Sequence, residues 1–124
     1  MKPTLAEALP VNDTPSYSPQ APDRAEVDAL PGLTLLQFGT DWCGHCQAAA
    51  PAVAQALQAA PATLAAMRHL PVEDGPGRPL GRSFRVKLWP TLILLRDGQE
   101  IARLVRPTEA AAVAQWLAAA SSAA

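Results

Sequence analysis

The run Leu33-Thr34-Leu35-Leu36-Gln37-Phe38 is nearly continuous in apolar residues. That is the pattern of a strand covered on both faces. Thr91-Leu92-Ile93-Leu94-Leu95 repeats it. Arg96-Asp97-Gly98-Gln99 follows, and Asp-Gly suits the positive φ angles of a type I′ turn. Ile101–Val105 is therefore expected to return as an antiparallel partner. Between the two runs the period changes to that of a helix, from about Cys43 to about Ala60. Cys46, Ala50, Val53, Ala54 and Leu57 share one of its faces. Pro51 lies inside it and removes the N–H that would bond the Gln47 carbonyl, so a kink is expected there. Asp23–Leu30 is a short helix candidate, with Pro22 at its start and Pro31-Gly32 ending it. Leu64–Leu70 is a weaker strand candidate, made irregular by Pro71. Residues 73–79 form a loop by turn chemistry, and Leu80–Phe84 a short helix with Leu80 and Phe84 inward. Pro107-Thr108 starts the last helix, with Thr108 as N-cap and Val113, Trp116, Leu117 and Ala120 as its apolar stripe.

Residues 1–20 carry Pro3, Pro10, Pro15 and Pro19 among polar residues. They read as an irregular arm, with one short turn near Thr4–Leu9; residues 21–124 form the domain. The alternation of elements predicts an α/β fold with a mixed sheet between helices. No internal repeat is found.

Composition narrows the function by exclusion. A chain of 124 residues is one domain and buries about two-thirds of its unfolded surface. Such a core needs no disulfide staple. Lys and Arg number 10 against 11 Asp and Glu, so no basic excess argues for nucleic acid. The N-terminus shows no apolar segment of secretory length, and no apolar run spans a bilayer. The expectation is a cytoplasmic protein without membrane contact, an exported form being the alternative. In a reducing compartment a C-x-x-C pair is catalytic or metal-binding rather than structural.

Both cysteines lie in Trp42-Cys43-Gly44-His45-Cys46, where a strand ends and a helix begins. A helix N-terminus offers unpaired N–H groups and partial positive charge, which favour a thiolate, the reactive form. Three plainer readings compete. A structural bridge closing so short a loop removes little unfolded-state entropy. Zinc wants four ligands; only Cys43, Cys46, His45 and His69 are candidates, and His45 lies awkwardly between the cysteines. Haem attachment requires His after the second cysteine, and Gln47 stands there. No metal and no cofactor is expected.

These residues together resemble the thioredoxin-like family. The resemblance rests on the strand feeding the cysteine motif, Pro51 five residues after Cys46, Trp89-Pro90-Thr91 opening a strand, the Asp97-Gly98 hairpin and the amphipathic last helix. It covers about Asp23 to Ala120 and implies a three-layer sandwich. It implies that Cys43 is the nucleophile, Cys46 the resolving cysteine, Pro90 the family's cis-proline beside an extended substrate, and Trp42 the flanking aromatic. The Gly44-His45 centre resembles that of protein disulfide isomerase domains, where thioredoxins carry Gly-Pro. An imidazole that stabilises the reduced form makes the disulfide more oxidising.

Several positions depart from the family pattern. Gln37 stands where many thioredoxins bury an Asp that takes the proton of the resolving thiol. Gln cannot titrate, so water or another group must serve. His69 lies roughly where a Lys is usual and is a candidate relay, although a partly buried strand residue is the plainer reading. Arg106 replaces a Gly beside the substrate groove. It reads as a solvated charge or as a substrate contact. Trp89 replaces a smaller residue and is core or groove wall, while Trp116 reads as core.

The implied reaction is thiol–disulfide exchange. Cys43 attacks a substrate disulfide, and Cys46 then attacks Cys43 to release the reduced substrate. Expected partners are disulfide-containing proteins and a thiol reductant or reductase, acting on a monomer. The alternative is a redox-inactive peptide-binding or chaperone-like module that uses the groove around Trp42, Trp89 and Pro90.

Overall fold

The first helix is set by its cap. In the computed structural model, which describes residues 17–122, the Asp23 carboxylate accepts the Glu26 N–H and the Glu26 carboxylate accepts the Asp23 N–H, each at 2.8 Å. This reciprocal box starts α1, Arg24–Asp28. The chain continues as β1 (Leu33–Gly39), α2 (Gly44–Gln58), a 3₁₀ turn (Ala62–Leu64), β2 (Arg68–Glu73), α3 (Pro79–Ser83), β3 (Thr91–Arg96), β4 (Gln99–Val105) and α4 (Ala110–Ser122).

The sheet order is β2-β1-β3-β4. β1 runs parallel to β2 and antiparallel to β3, and β3 pairs antiparallel with β4. A parallel pair needs a crossover, and α2 supplies it. Alternation along β1 divides the core. Leu35 packs with Val53 of α2 and Val113 and Leu117 of α4. Leu36 and Phe38 face the other way, onto Val27 of α1, Leu80 of α3 and Phe84 at its end. The result is the mixed sheet between helix layers that the sequence predicts.

Four local expectations need correction. The second strand is Arg68–Glu73, not Leu64–Leu70, because Ala62–Leu64 is taken by the 3₁₀ turn and the strand runs on through Pro71. β2 is an outer strand of the sheet, where a missing N–H is tolerated. The buried face of α2 includes Ala49, Ala52 and Ala56, whereas Ala54 and Leu57 are only half-buried. The last helix begins at Ala110, two residues beyond Thr108, and the Glu109 carbonyl accepts its first N–H groups. The end of the N-terminal arm is also paired. Ser18 bridges Val72, donating to the Pro71 carbonyl at 3.1 Å and accepting from the Glu73 N–H at 2.9 Å. The expected turn near Thr4–Leu9 lies outside the described residues.

The hairpin turn locks onto α1. Asp97 and Gly98 have φ of 52° and 84°. A Cβ on Gly98 would run into the Asp28 carbonyl. Gly98→Ala is therefore expected to lower unfolding free energy by about 2 kcal/mol or more, from left-handed strain plus that clash. A urea titration of the variant against the parent measures it; coincident midpoints would contradict this account of the turn.

Candidate active site

β1 ends and α2 begins within five residues, and the two cysteines occupy that junction. Cys43 is the N-cap of α2, with extended backbone at φ −76° and ψ 125°. Its sulfur accepts the Cys46 N–H at 3.4 Å, and its carbonyl accepts the Gln47 N–H at 3.0 Å. Cys46 lies one turn into the helix, beneath it. Cys43 keeps 8% of its surface exposed and Cys46 only 2%. Both are free thiols in contact with one another. Burial pushes the Cys46 thiol up to about 11, against hydrogen bonds from the Thr40 backbone and the Tyr17 hydroxyl that pull it down.

The space for Cys46 comes from Gly39, the last residue of β1. A Cβ there would stand 2.6 Å from the Cys46 sulfur and 3.0 Å from the Tyr17 hydroxyl. No side chain fits this position without displacing one of them.

Gln37 and Tyr17, both buried, and the half-buried His69 form one polar chain behind Cys46. The Gln37 Nε2 donates to the Tyr17 hydroxyl at 2.8 Å, and its Oε1 lies 2.7 Å from His69 Nε2. That ring nitrogen must therefore carry its hydrogen. Burial holds the His69 ring below the usual histidine range, so it is neutral at pH 7. Burial likewise pushes the Tyr17 phenol well above its ordinary value. The expected departure at Gln37 is thus met by neutral groups. Tyr17 went unnoticed in the sequence, where it stands among prolines and serines with no periodicity to mark it. Asp41, also missed, fixes it by accepting the Tyr17 N–H at 3.0 Å.

The opposite wall is Trp89-Pro90, joined by a cis peptide bond. Trp89 packs against the cysteines and Tyr17, and its indole N–H donates to Asp74 Oδ2 at 2.9 Å. It is both core and groove wall. Trp42 meets it edge-on, with ring centroids 5.8 Å apart, and is itself 72% exposed. Arg106 is more than a solvated charge. Half-buried at φ 52°, it donates from Nε to the Trp89 carbonyl at 2.8 Å and from its backbone to the Pro90 carbonyl at 2.9 Å. It braces the wall. His45 is exposed on the first turn of α2, and Trp116 is half-buried against the core. Among the described residues no cluster of three or more His, Cys, Asp or Glu could hold a metal ion.

This geometry has known counterparts. The sequence model of the thioredoxin family matches residues 20–119. Protein disulfide-isomerase A2 of Pongo abelii is 40% identical over 86 residues, which is 67% of this chain but only 16% of that protein. The thioredoxin of Chlamydia trachomatis serovar D is 39% identical over 75 residues, 60% of this chain and 69% of that protein. The solved structure of reduced thioredoxin 2 from Pseudomonas aeruginosa PAO1 superposes with a TM-score of 0.75 at 52% identity, covering 86% of this chain and 95% of that one. With its paired thiols at the mouth of α2, the chain belongs to the thioredoxin family of thiol–disulfide oxidoreductases.

Proposed function

We propose that this chain exchanges its Cys43–Cys46 dithiol with disulfides in protein substrates, and that Cys43 is the attacking sulfur. The observation that carries this is the asymmetry of the pair. Cys43 caps the helix, receives an N–H and keeps 8% of its surface exposed, while Cys46 lies deeper at 2%. In the first step the Cys43 thiolate attacks one substrate sulfur. A mixed disulfide forms, the substrate S–S bond breaks, and the second substrate sulfur leaves as thiolate. Cys46 then attacks Cys43, closing the internal disulfide and expelling the first sulfur. Two electrons pass to the substrate, and the reverse sequence oxidises a dithiol. No cofactor is needed, since the two sulfurs hold the electrons. A thiol reductant or reductase would restore the dithiol.

Trp42, Trp89 and Pro90 are the proposed seat of the substrate chain beside Cys43, with Gly44 giving clear access to the sulfur. A cytoplasmic monomer is the proposed working form. No described helix is long and apolar enough to cross a membrane. The Gly44-His45 centre and the likeness to a disulfide isomerase support a more oxidising couple than that of a thioredoxin.

Cys43→Ser is expected to abolish the acceleration of dithiothreitol reduction of a disulfide protein, whereas Cys46→Ser, mixed with the substrate without dithiothreitol, should accumulate the mixed disulfide, visible as added mass. Equal turnover by Cys43→Ser and the parent would end the proposal. A glutathione titration should place the couple between about −270 mV, the value for thioredoxin, and about −180 mV, that for disulfide isomerase. His45→Pro should move it toward the reducing end; a parent value at or below −270 mV with no response to His45→Pro contradicts the tuning role. The exposed Trp42 also favours a second reading, peptide binding without turnover. Client binding that survives Cys43→Ala with Cys46→Ala, together with no exchange activity in the parent, would favour it.

A further inference from the structure

The resolving step poses a problem that the cysteines alone do not answer. Burial pushes the Cys46 thiol up, so it is protonated at pH 7. The position behind it that could have held a carboxylate is Gln37, which cannot accept a proton at neutral pH. The Tyr17 side chain nonetheless packs against Cys46, and its hydroxyl and the Cys46 sulfur stand 3.0 Å and 2.6 Å from the point a Gly39 Cβ would occupy.

From this we infer that Tyr17 is a catalytic residue of the resolving step, its O–H donating to the Cys46 sulfur as that sulfur becomes a thiolate. This rests on the exchange reaction proposed above. The hydrogen bonds dictate the direction of the donation. The Gln37 carboxamide oxygen faces His69 Nε2 at 2.7 Å, and its Nε2 donates to the Tyr17 oxygen at 2.8 Å. The phenol oxygen is then an acceptor for Gln37, and its own hydrogen is left for sulfur. Tyr17 is held so firmly as a phenol that it acts as a donor and not as a base. The Cys46 proton leaves to water. The Cys46 thiolate attacks Cys43, the internal S–S bond forms, and the Cys43–substrate bond breaks with the pair going to the substrate sulfur. Tyr17 keeps its proton throughout. His69 and Gln37 are positioning residues that aim it, and the Ser18 bridge to β2 anchors its backbone.

The test is stopped-flow reaction of the reduced protein with an aromatic disulfide whose thiolate absorbs, followed from pH 6 to pH 10. The first release reports attack by Cys43, and the second reports resolution by Cys46. In Tyr17→Phe the apparent pKa of the second phase should rise by about one unit. Resolution at pH 7 should slow about threefold, since tenfold less thiolate is partly offset by its greater nucleophilicity. The first phase should keep its pH profile. Gln37→Met should shift the second phase the same way by less, so that the outcome does not rest on one variant. Second-phase profiles that superpose on the parent in both variants overturn the assignment. Absence of both phases in the parent would instead overturn the exchange reaction itself.

A separate observation concerns substrate choice. Trp89, which covers the cysteines on one side, lines on its other side an open cavity of about 600 Å³. Arg78, Arg82, Arg85 and Lys87 surround it, with Asp74 as the one carboxylate. Asp74 is occupied by the Trp89 indole, and Arg78 is shared with Glu73 at 3.0 Å. Arg82, Arg85 and Lys87 are exposed. On a chain of net charge −1 this is a local excess of positive charge. We propose that it receives an acidic segment of the substrate protein flanking the disulfide that meets Cys43.

Two disulfide peptides identical except for acidic or neutral flanks test the idea. The ratio of their kcat/KM values should favour the acidic one about fivefold in low salt and fall toward one in 0.5 M salt, with screening. Replacing Arg82, Arg85 and Lys87 together by Gln should bring the low-salt ratio to about one. A parent ratio near one at low salt, or a preference that survives the triple replacement, overturns the proposal.

Discussion

A buried sulfur governs this structure. Removing Cys46 from water opposes its ionisation, and the proposed exchange asks it to attack as a thiolate. The fold answers with donors brought to one point from distant parts of the chain. The Thr40 N–H comes from the loop after β1, and the Tyr17 hydroxyl from the segment before α1. The missing side chain at Gly39 lets Tyr17 and the Cys46 sulfur approach one another. Helix α2 holds the sulfur itself, and its first turn gives Cys43 the Cys46 N–H. The remaining architecture keeps these pieces in register. β1 is the inner strand that bears Gln37, and its parallel neighbour β2 carries His69 and pairs with Ser18.

The reach of the sequence follows from how far apart the interacting residues lie. β1, β3 and the hairpin were legible because local pattern fixes them. Both strands are buried on two faces and so read as apolar runs, and Asp97-Gly98 has few alternatives. The cysteine pair was legible for a similar reason, since four consecutive positions carry it. β2 was misplaced because its pattern is weak. Arg68, His69 and Pro71 interrupt the apolar residues, as an outer strand permits. The polar chain behind Cys46 was half legible. Gln37 and His69 stood out as departures from a family pattern. Their contact spans 32 positions, and Tyr17 reaches Gln37 across 20. Such contacts are set by strand register, which no local window reveals. Arg106 shows the same limit from the other side. As a charge it reads as solvated, but its positive φ and its bond to the Trp89 carbonyl make it part of the wall.

The replacement of a carboxylate by a Gln–His–Tyr chain changes the electrostatics as well as the contacts. A buried Asp beneath the thiols would add a third titrating group coupled to both sulfurs. Its charge would disfavour the thiolates through space, and its hydrogen bonds would have to change with each redox state. Gln37 carries no charge, and burial moves His69 and Tyr17 further toward their neutral forms. The proton balance of the couple is then set by the two sulfurs alone. The cost is the loss of a local base, so the Cys46 proton must leave to solvent. A hydrogen-bond donor lowers that barrier without accepting the proton. It therefore assists resolution in one direction and release of the Cys46 thiolate in the other, as a reversible dithiol–disulfide couple requires.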